Sequence, residues 1–506
     1  MRSERGRFET AAFQALSGGL SALGRIPPAR RALIHLAESG LRRGASKPAA
    51  QVRQPEAVTQ DKIDLGRALL GVVDRALADD RLSPASFRGL VDRLFGDVLL
   101  RRGDQDAKAA FVARHDCSPP DFLALSPGKA CNLRCVGCYA NAGTSREKLD
   151  WATLARVVDE ARRLWGTRFF VISGGEPFAY RDSGKGLLDL AADNPDCFFL
   201  AYTNGTLIDD AAAARLAELG NLTPAISVEG LRERTDARRG GGVFDRALAA
   251  MRRLRRERVV YGLSVTATRD NVDEILCDEL VDFFFGEMGA LYAFVFHYMP
   301  IGRAPTLDLM PTPEQRLRLL DRVWQLVRER RLLIADFWNS GTATNGCIAG
   351  GRPGGYLYID WNGAVSPCVF VPYSAVNIKE VYARGGTLDD VWAEPFFAAI
   401  RSWQRAYGYR ECGERYAHGG NWHRPCLIRD HHRTFRRIAL AHHARPNDAA
   451  AAEALADPAY AAGLVAFDDA LAAASDPAWR ERYTPPRAPE ERPARVAAPA
   501  ILPQDA

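Results

Sequence analysis

Read from its sequence, this chain is an α/β protein: a partial (β/α)6 barrel of the TIM type with an α-helical N-terminal extension and a small cysteine-containing C-terminal domain. Three observations predict this. From about Asp121 short β-rich runs alternate with helical patterns, which argues for a parallel sheet with crossover helices. Residues 1–116 show helical periodicity throughout. Residues 345–428 change texture again and are rich in Gly, aromatic residues and Cys.

In the extension, Leu16, Leu20 and Leu23 fall at helical spacing, Pro27 and Pro28 interrupt it, and Leu33 to Leu41 resume it. The polar stretch Lys47–Gln60 reads as a linker, followed by amphipathic runs near Asp64–Ala78 and Phe87–Leu100. Barrel strands are expected at Phe122–Ser126, Phe169–Ser173, Phe198–Tyr202, Pro224–Val228, Tyr261–Thr266 and Phe294–Tyr298. Helices are expected at Trp151–Leu164, Asp209–Leu219, Phe244–Arg255, Val272–Phe285 and Pro313–Arg328. On such a barrel the chemistry belongs to the loops after the C-terminal strand ends. Further on, Tyr356–Ile359 and Ala364–Pro367 flank an Asn362-Gly363 turn and read as a hairpin. The expected domains are therefore 1–116, a barrel over 117–335, a cysteine-containing unit over 336–430, a helical segment over 431–480 and a disordered, proline-rich tail over 481–506.

Composition narrows the class. A hydrophobic fraction of 47%, a charged fraction of 25% and a net charge of +5 describe a globular protein with a sizeable core and no overall call for nucleic acid. No stretch is apolar enough to span a membrane, and charged residues stand where a secretory signal would have its apolar core. The chain is expected in the cytoplasm, where its ten cysteines stay reduced and read as ligands or buried small side chains. Arg25, Arg30 and Arg31 beside an apolar helix face leave peripheral membrane contact open, with packing on the barrel the favoured reading.

Cys131, Cys135 and Cys138 follow the first strand, placing three thiols within eight residues. Such a trio suits an iron–sulfur cluster; a structural zinc site needs a fourth ligand, and none lies nearby. The Cys-x3-Cys-x2-Cys spacing followed by Tyr139 resembles the signature of the radical S-adenosylmethionine (radical SAM) superfamily. That resemblance implies a 4Fe–4S cluster held by the trio, whose remaining iron binds S-adenosylmethionine and whose electron splits it to a 5′-deoxyadenosyl radical.

The later strand ends carry the same resemblance. Gly174, Gly175, Glu176 and Pro177 match the superfamily's GGEP motif, implied to receive the methionine ammonium. Thr203 and Asn204 sit at a recurrent polar position, and Ser227 and Glu229 match the pair that contacts the ribose. Arg238 matches an arginine that pairs with the methionine carboxylate, and Arg239 fits that role equally by position. The ends of strands five and six, Gly262–Thr266 and Phe296–Pro300, are expected beside the adenine.

Cys347 is separated from Cys368 by a stretch containing Gly363, and this resembles the opening of a SPASM or twitch domain. The dense cysteine run of a full SPASM domain is missing, and only Cys412 and Cys426 remain downstream. The resemblance implies one auxiliary 4Fe–4S cluster held by Cys347, Cys368, Cys412 and Cys426, with His423 able to replace one of them. Cys117, Cys197 and Cys277 stand alone and read as core residues. The basic stretch Asn421–Arg437 reads as a solvated face or an anion contact.

The expected activity is hydrogen abstraction from a metabolite such as a lipid, isoprenoid or tetrapyrrole, with a flavodoxin- or ferredoxin-type electron donor. A peptide-modifying enzyme is the nearest alternative, and a non-catalytic iron–sulfur protein the alternative of another class. The hairpin of a leader-peptide-binding module is not visible in residues 1–116.

Overall fold

The computed structural model describes residues 26–46, 55–100, 103–409 and 420–483. Leu16, Leu20, Leu23, Arg25, Cys412 and most of the proline-rich tail lie outside them. The six expected strands form β1 (Phe122–Leu125), β2 (Phe169–Ile172), β3 (Phe198–Thr203), β4 (Leu222–Val228), β5 (Gly262–Ala267) and β6 (Tyr292–His297). They lie side by side, parallel and in chain order.

The sheet continues past both ends of that run. β7 (Leu333–Asp336) adds in parallel to β6. On the other side, β8 (Tyr356–Ile359) pairs in parallel with β1, Phe122 opposite Tyr356. β9 (Ala364–Ser366) and β10 (Val376–Asn377) then extend the edge antiparallel, giving a ten-stranded sheet. The expected boundary between residues 335 and 336 thus falls inside β7, within one continuous sheet. Pairing of β8 with β1 joins residues more than two hundred positions apart, a non-local contact that strand propensity does not encode.

The helices follow from local chemistry. The extension supplies α1 (Pro27–Ser46) and α2 (Glu56–Ala78), so helix replaces the end of the expected linker from Glu56 onward. α3 (Trp151–Leu164) starts at Asp150, whose carboxylate accepts from the Thr153 amide at 2.8 Å. It buries Leu154, Val157, Val158 and Ala161 at helical spacing. α4 (Asp210–Leu219), α5 (Arg232–Arg239) and α6 (Val243–Arg256) come next. α7 (Pro313–Glu329) opens with a reciprocal Thr312–Gln315 capping box and Pro313 in its first turn. α8 (Pro458–Tyr483) closes the described chain. Among the described residues no helix is long and apolar enough to cross a membrane.

The expected helix at Val272–Phe285 begins only at Asp278. Asn271 accepts from the Thr268 amide and donates to the Glu229 and Thr266 carbonyls, holding the preceding residues as a turn.

The extension plugs the lower, N-terminal end of the barrel. Val72 and Ala76 of α2, with Leu82, Phe87 and Leu90, pack against Leu200, Ala225, Val260, Leu291 and Tyr292. Asp61 of α2 ties three helices together: Arg328 of α7 reaches it at 2.7 Å and the Tyr483 hydroxyl of α8 at 2.9 Å.

A buried ion pair joins the barrel to the chain beyond residue 420. Arg316 of α7 grips Asp430 in bidentate fashion at 2.7 and 3.0 Å and donates to the His423 carbonyl at 2.7 Å. Burial alone would raise the Asp430 carboxyl, but Arg316 and Arg429 hold it far below the usual carboxylate range. Removing one partner of such a pair strands a buried charge. Asp430→Ala is therefore expected to lower stability by about 3–5 kcal/mol, read as a fall in the urea unfolding midpoint, whereas removing the exposed Asp469, the partner of Arg433, should leave that midpoint nearly unchanged.

Candidate active site

The strand ends at the upper rim converge on one cavity of about 350 Å³ that also occupies the barrel interior. Cys131, Cys135 and Cys138 line it, on a loop held from several sides. The Cys131 amide donates to the Gly143 carbonyl at 2.8 Å, and the Val136 amide donates to the Arg238 carbonyl at 2.9 Å. Arg303, in the loop after β6, donates from its guanidinium to the Cys135 carbonyl and from its amide to the Cys138 carbonyl, each at 2.9 Å. Arg303 was not among the residues the sequence singled out. A lone arginine after a strand carries no pattern, and only folding sets it over the cysteine loop.

The Gly-Gly-Glu-Pro segment after β2 lies directly on that loop. The Gly175 amide donates to the Gly128 carbonyl and the Glu176 amide to the Ala130 carbonyl, at 2.9 and 2.8 Å. A Cβ on Gly175 would stand 2.1 Å from the Ala130 carbonyl oxygen, so glycine is required by the close approach of two backbones. Gly174 donates its amide to the Tyr139 hydroxyl at 3.0 Å, joining the residue after the cysteine trio to the same segment. Pro177 opens a single tight turn behind Glu176.

Glu176 is buried and receives three donors: the Thr203 hydroxyl at 2.6 Å, the Asn204 amide at 2.8 Å and the Phe178 amide at 3.0 Å. Burial pushes its carboxyl up, and these donors oppose the shift. A carboxylate offers about four acceptor positions, so Glu176 keeps capacity for a further cationic or N–H donor. Asn204 reaches back to the cysteine loop, donating to Asn132 at 2.9 Å with its amide nitrogen 3.8 Å from the Cys131 sulfur. The Leu133 amide also donates to that sulfur, at 3.4 Å.

Ser227 and Glu229 lie at and just beyond the end of β4, and Ser227 faces the cavity. The sequence assigned Arg238 to a ligand carboxylate. In the structure both Arg238 and Arg239 of α5 engage one Glu229 oxygen, while the other accepts from the Thr266 amide at 3.1 Å. Burial works against the Arg239 cation, and Glu229 more than offsets it. Both arginines still border the cavity.

Cys347, Cys368 and Cys426 line this same cavity. The Cys368 sulfur shares a 2.9 Å hydrogen bond with the Tyr356 hydroxyl and accepts from the Phe370 amide at 3.5 Å. Burial pushes the Cys131 and Cys426 thiols each up to about 11 and raises Cys347 and Cys368 as well. His423 does not join the trio: its buried ring stands against Trp479 and Tyr483 of α8. Cys197 is buried in the core, with Cys117 and Cys277 packed at its margin. Three cations of the basic stretch are paired within the chain, Arg424 with Asp468, Arg429 with Asp430 and Arg433 with Asp469.

Among the described residues no three His, Cys, Asp or Glu side chains converge to chelate a single metal ion. Each cysteine trio instead borders a shared space, with N–H groups directed at Cys131 and Cys368. Sulfur ligands that accept amide hydrogen bonds beside an apolar cavity fit an inorganic iron–sulfur cluster. The acceptor capacity left on the Glu176 carboxylate fits the ammonium of S-adenosylmethionine.

The comparisons with known proteins agree with this chemistry. The Radical SAM superfamily model matches residues 125–276, and that of an iron–sulfur cluster-binding domain, SPASM, matches residues 347–414. The AdoMet-dependent heme synthase of Methanosarcina barkeri (strain Fusaro / DSM 804) is 26% identical over 292 residues, 52% of this chain and 80% of the relative. The Fe-coproporphyrin III synthase of the same organism is 34% identical over 151 residues, 29% of this chain and 37% of the relative. The sporulation killing factor maturation protein SkfB of Bacillus subtilis (strain 168) is 26% identical over 265 residues, 49% of this chain and 60% of the relative. The chain is an enzyme that carries a radical SAM domain and a SPASM domain, and these domains imply S-adenosylmethionine, a 4Fe–4S cluster and an auxiliary iron–sulfur cluster as cofactors.

Replacing Cys131, Cys135 and Cys138 together by Ala should abolish cleavage of S-adenosylmethionine, while roughly four irons per chain, one 4Fe–4S centre, remain. Iron analysis of anaerobically reconstituted protein checks this, and loss of all iron would overturn the assignment of a separate auxiliary site.

Proposed function

We propose that this radical SAM enzyme acts on a tetrapyrrole, with Cys131, Cys135 and Cys138 holding the cluster that binds S-adenosylmethionine. When bound, that cofactor pair supplies a 5′-deoxyadenosyl radical able to abstract a substrate hydrogen. Glu176, fixed by Thr203 and Asn204, receives the methionine ammonium, and the Arg238–Arg239–Glu229 group presents the polar wall beside Ser227. Cys347, Cys368 and Cys426 stand on the cavity wall and, joined by Cys412, are the ligands of the auxiliary cluster. The electron comes from a flavodoxin- or ferredoxin-type donor.

The observation that carries the substrate reading is one cavity with an aromatic wall between the two cysteine trios. Phe370 lies 5.7 Å from Phe296, 5.6 Å from Phe337 and 4.8 Å from Trp338 by ring centroids. Such a wall suits a flat, conjugated molecule, and the names of both Methanosarcina barkeri relatives refer to tetrapyrroles. The similarity to SkfB favours a peptide as the second reading.

Anaerobic protein with reductant, S-adenosylmethionine and iron-coproporphyrin III, or its metal-free form, should give 5′-deoxyadenosine together with a changed tetrapyrrole by mass spectrometry. Formation of 5′-deoxyadenosine with every tetrapyrrole unchanged, alongside modification of a peptide, would replace this reading with the second.

A further inference from the structure

The barrel interior below the cofactor rim is hollow, and its walls show an unusual inversion. In β7 the residues whose side chains point outward toward the helices, Ile334 and Asp336, are fully buried, whereas Leu333, Ala335 and Phe337 are only half-buried. The same alternation runs through β2, where Phe170 and Ile172 are buried and Phe169 and Val171 half-buried, and through β6 at Phe294 and Phe296. Successive strand residues point to opposite faces, so the inward face is the less covered one. In a filled barrel inward side chains pack in layers and are buried. Here they border open space, and Phe122, Phe169, Val171, Leu200, Phe294 and Ala335 all line the cavity. The lower end is sealed by Val72, Ala76, Phe87 and Leu90, so this chamber opens toward the cofactor rim.

Of the tyrosines that line the cavity, one stands without a hydrogen-bond partner among the described residues. Tyr202, on β3 immediately before Thr203 and Asn204, lines the cavity with its ring edge-on to Phe294 at 5.6 Å and to Phe296 at 5.1 Å. Among the described residues its hydroxyl makes no hydrogen bond, whereas the neighbouring Tyr292 hydroxyl is engaged by Thr223 at 2.8 Å and the Tyr139 hydroxyl by Gly174. Enclosed phenols normally find a partner. Burial also holds the Tyr202 phenol well above its ordinary range, so it stays protonated and serves as a donor.

We propose that this chamber binds an uncharged, apolar part of the substrate carrying one hydrogen-bond acceptor, and that Tyr202 is the positioning residue that donates to that acceptor. Tyr202 is one residue from Thr203, whose hydroxyl holds Glu176. The group anchored by Tyr202 is thereby registered directly beneath the polar rim that receives the cofactor. The inference deepens the reading of this site as a radical SAM substrate pocket, but its test requires no turnover and no tetrapyrrole.

The test uses two probes of matched shape, acetophenone and α-methylstyrene, on anaerobically reconstituted full-length protein, with affinities read by ligand-observed NMR. Both should bind the wild type. Tyr202→Phe, which removes only the unpartnered hydroxyl, should weaken acetophenone by ~10-fold, the scale of one net hydrogen bond, and leave α-methylstyrene within about twofold. Val171→Trp, which fills the chamber, should abolish binding of both. An unchanged acetophenone affinity in Tyr202→Phe would overturn the role of Tyr202. Failure of either probe to bind the wild type, or unaltered binding in Val171→Trp, would overturn the chamber itself. Absence of tetrapyrrole turnover beside intact probe binding would count against the substrate reading alone.

Discussion

The parallel pairing of β8 with β1 is the contact on which the rest of the site depends. Phe122–Leu125 stands in register with Tyr356–Ile359, so the strand preceding the first cysteine trio and the hairpin between Cys347 and Cys368 belong to one sheet. Had the cysteine-rich region folded as a separate unit, its thiols would face a different solvent-exposed cleft. Instead both trios border a single cavity, and the hydrogen bond between Tyr356 of β8 and Cys368 couples the sheet edge to the second trio. The Arg316–Asp430 pair then fixes the far side. Asp430 also accepts from the Cys426 amide at 3.2 Å, so the guanidinium of a barrel helix orients the last described cysteine through one carboxylate.

Electrostatics and enclosure act together at the rim. Glu176 and Glu229 are both nearly inaccessible, and neighbouring elements supply donors to each. Glu176 depends on Thr203 and Asn204 of the next strand end, and Glu229 depends on α5 and on the Thr266 amide. Such interlocking leaves the side chains little freedom to reorganise, the condition under which fixed charges and dipoles act most strongly on a bound group. The helical extension contributes from below by closing the barrel with Val72, Phe87 and Leu90, which keeps water from the lower end of the cavity.

Local signals carried much of the architecture. The boundaries of α3 and α7 were legible because Asp150 and the Thr312–Gln315 pair are capping residues before an apolar stripe. The six central strands were legible because each is a short β-rich run between turn residues. β7 escaped notice because Leu333–Asp336 is only four residues long and ends in a charged residue. The late start of the helix near Asp278 escaped because the Asn271 amide reaches a carbonyl on another strand end. The tertiary structure withheld the alternative ligand by turning His423 toward Trp479 and Tyr483.

By itself the sequence determined the class of chemistry: cysteine spacing and the glycine–glutamate segment are short-range patterns, and the matching of residues 125–276 and 347–414 to family models rests on them. The tertiary structure decided where that chemistry faces. It brought two cysteine trios to one cavity, set Arg303 over the first trio, bound Arg238 and Arg239 to Glu229 and left the Tyr202 hydroxyl unpartnered beside Phe294 and Phe296. Apart from the Glu229 pairs, nine and ten residues apart, these are contacts between segments tens to hundreds of residues apart. They follow from sheet order and side-chain burial, which emerge only when the whole chain has packed.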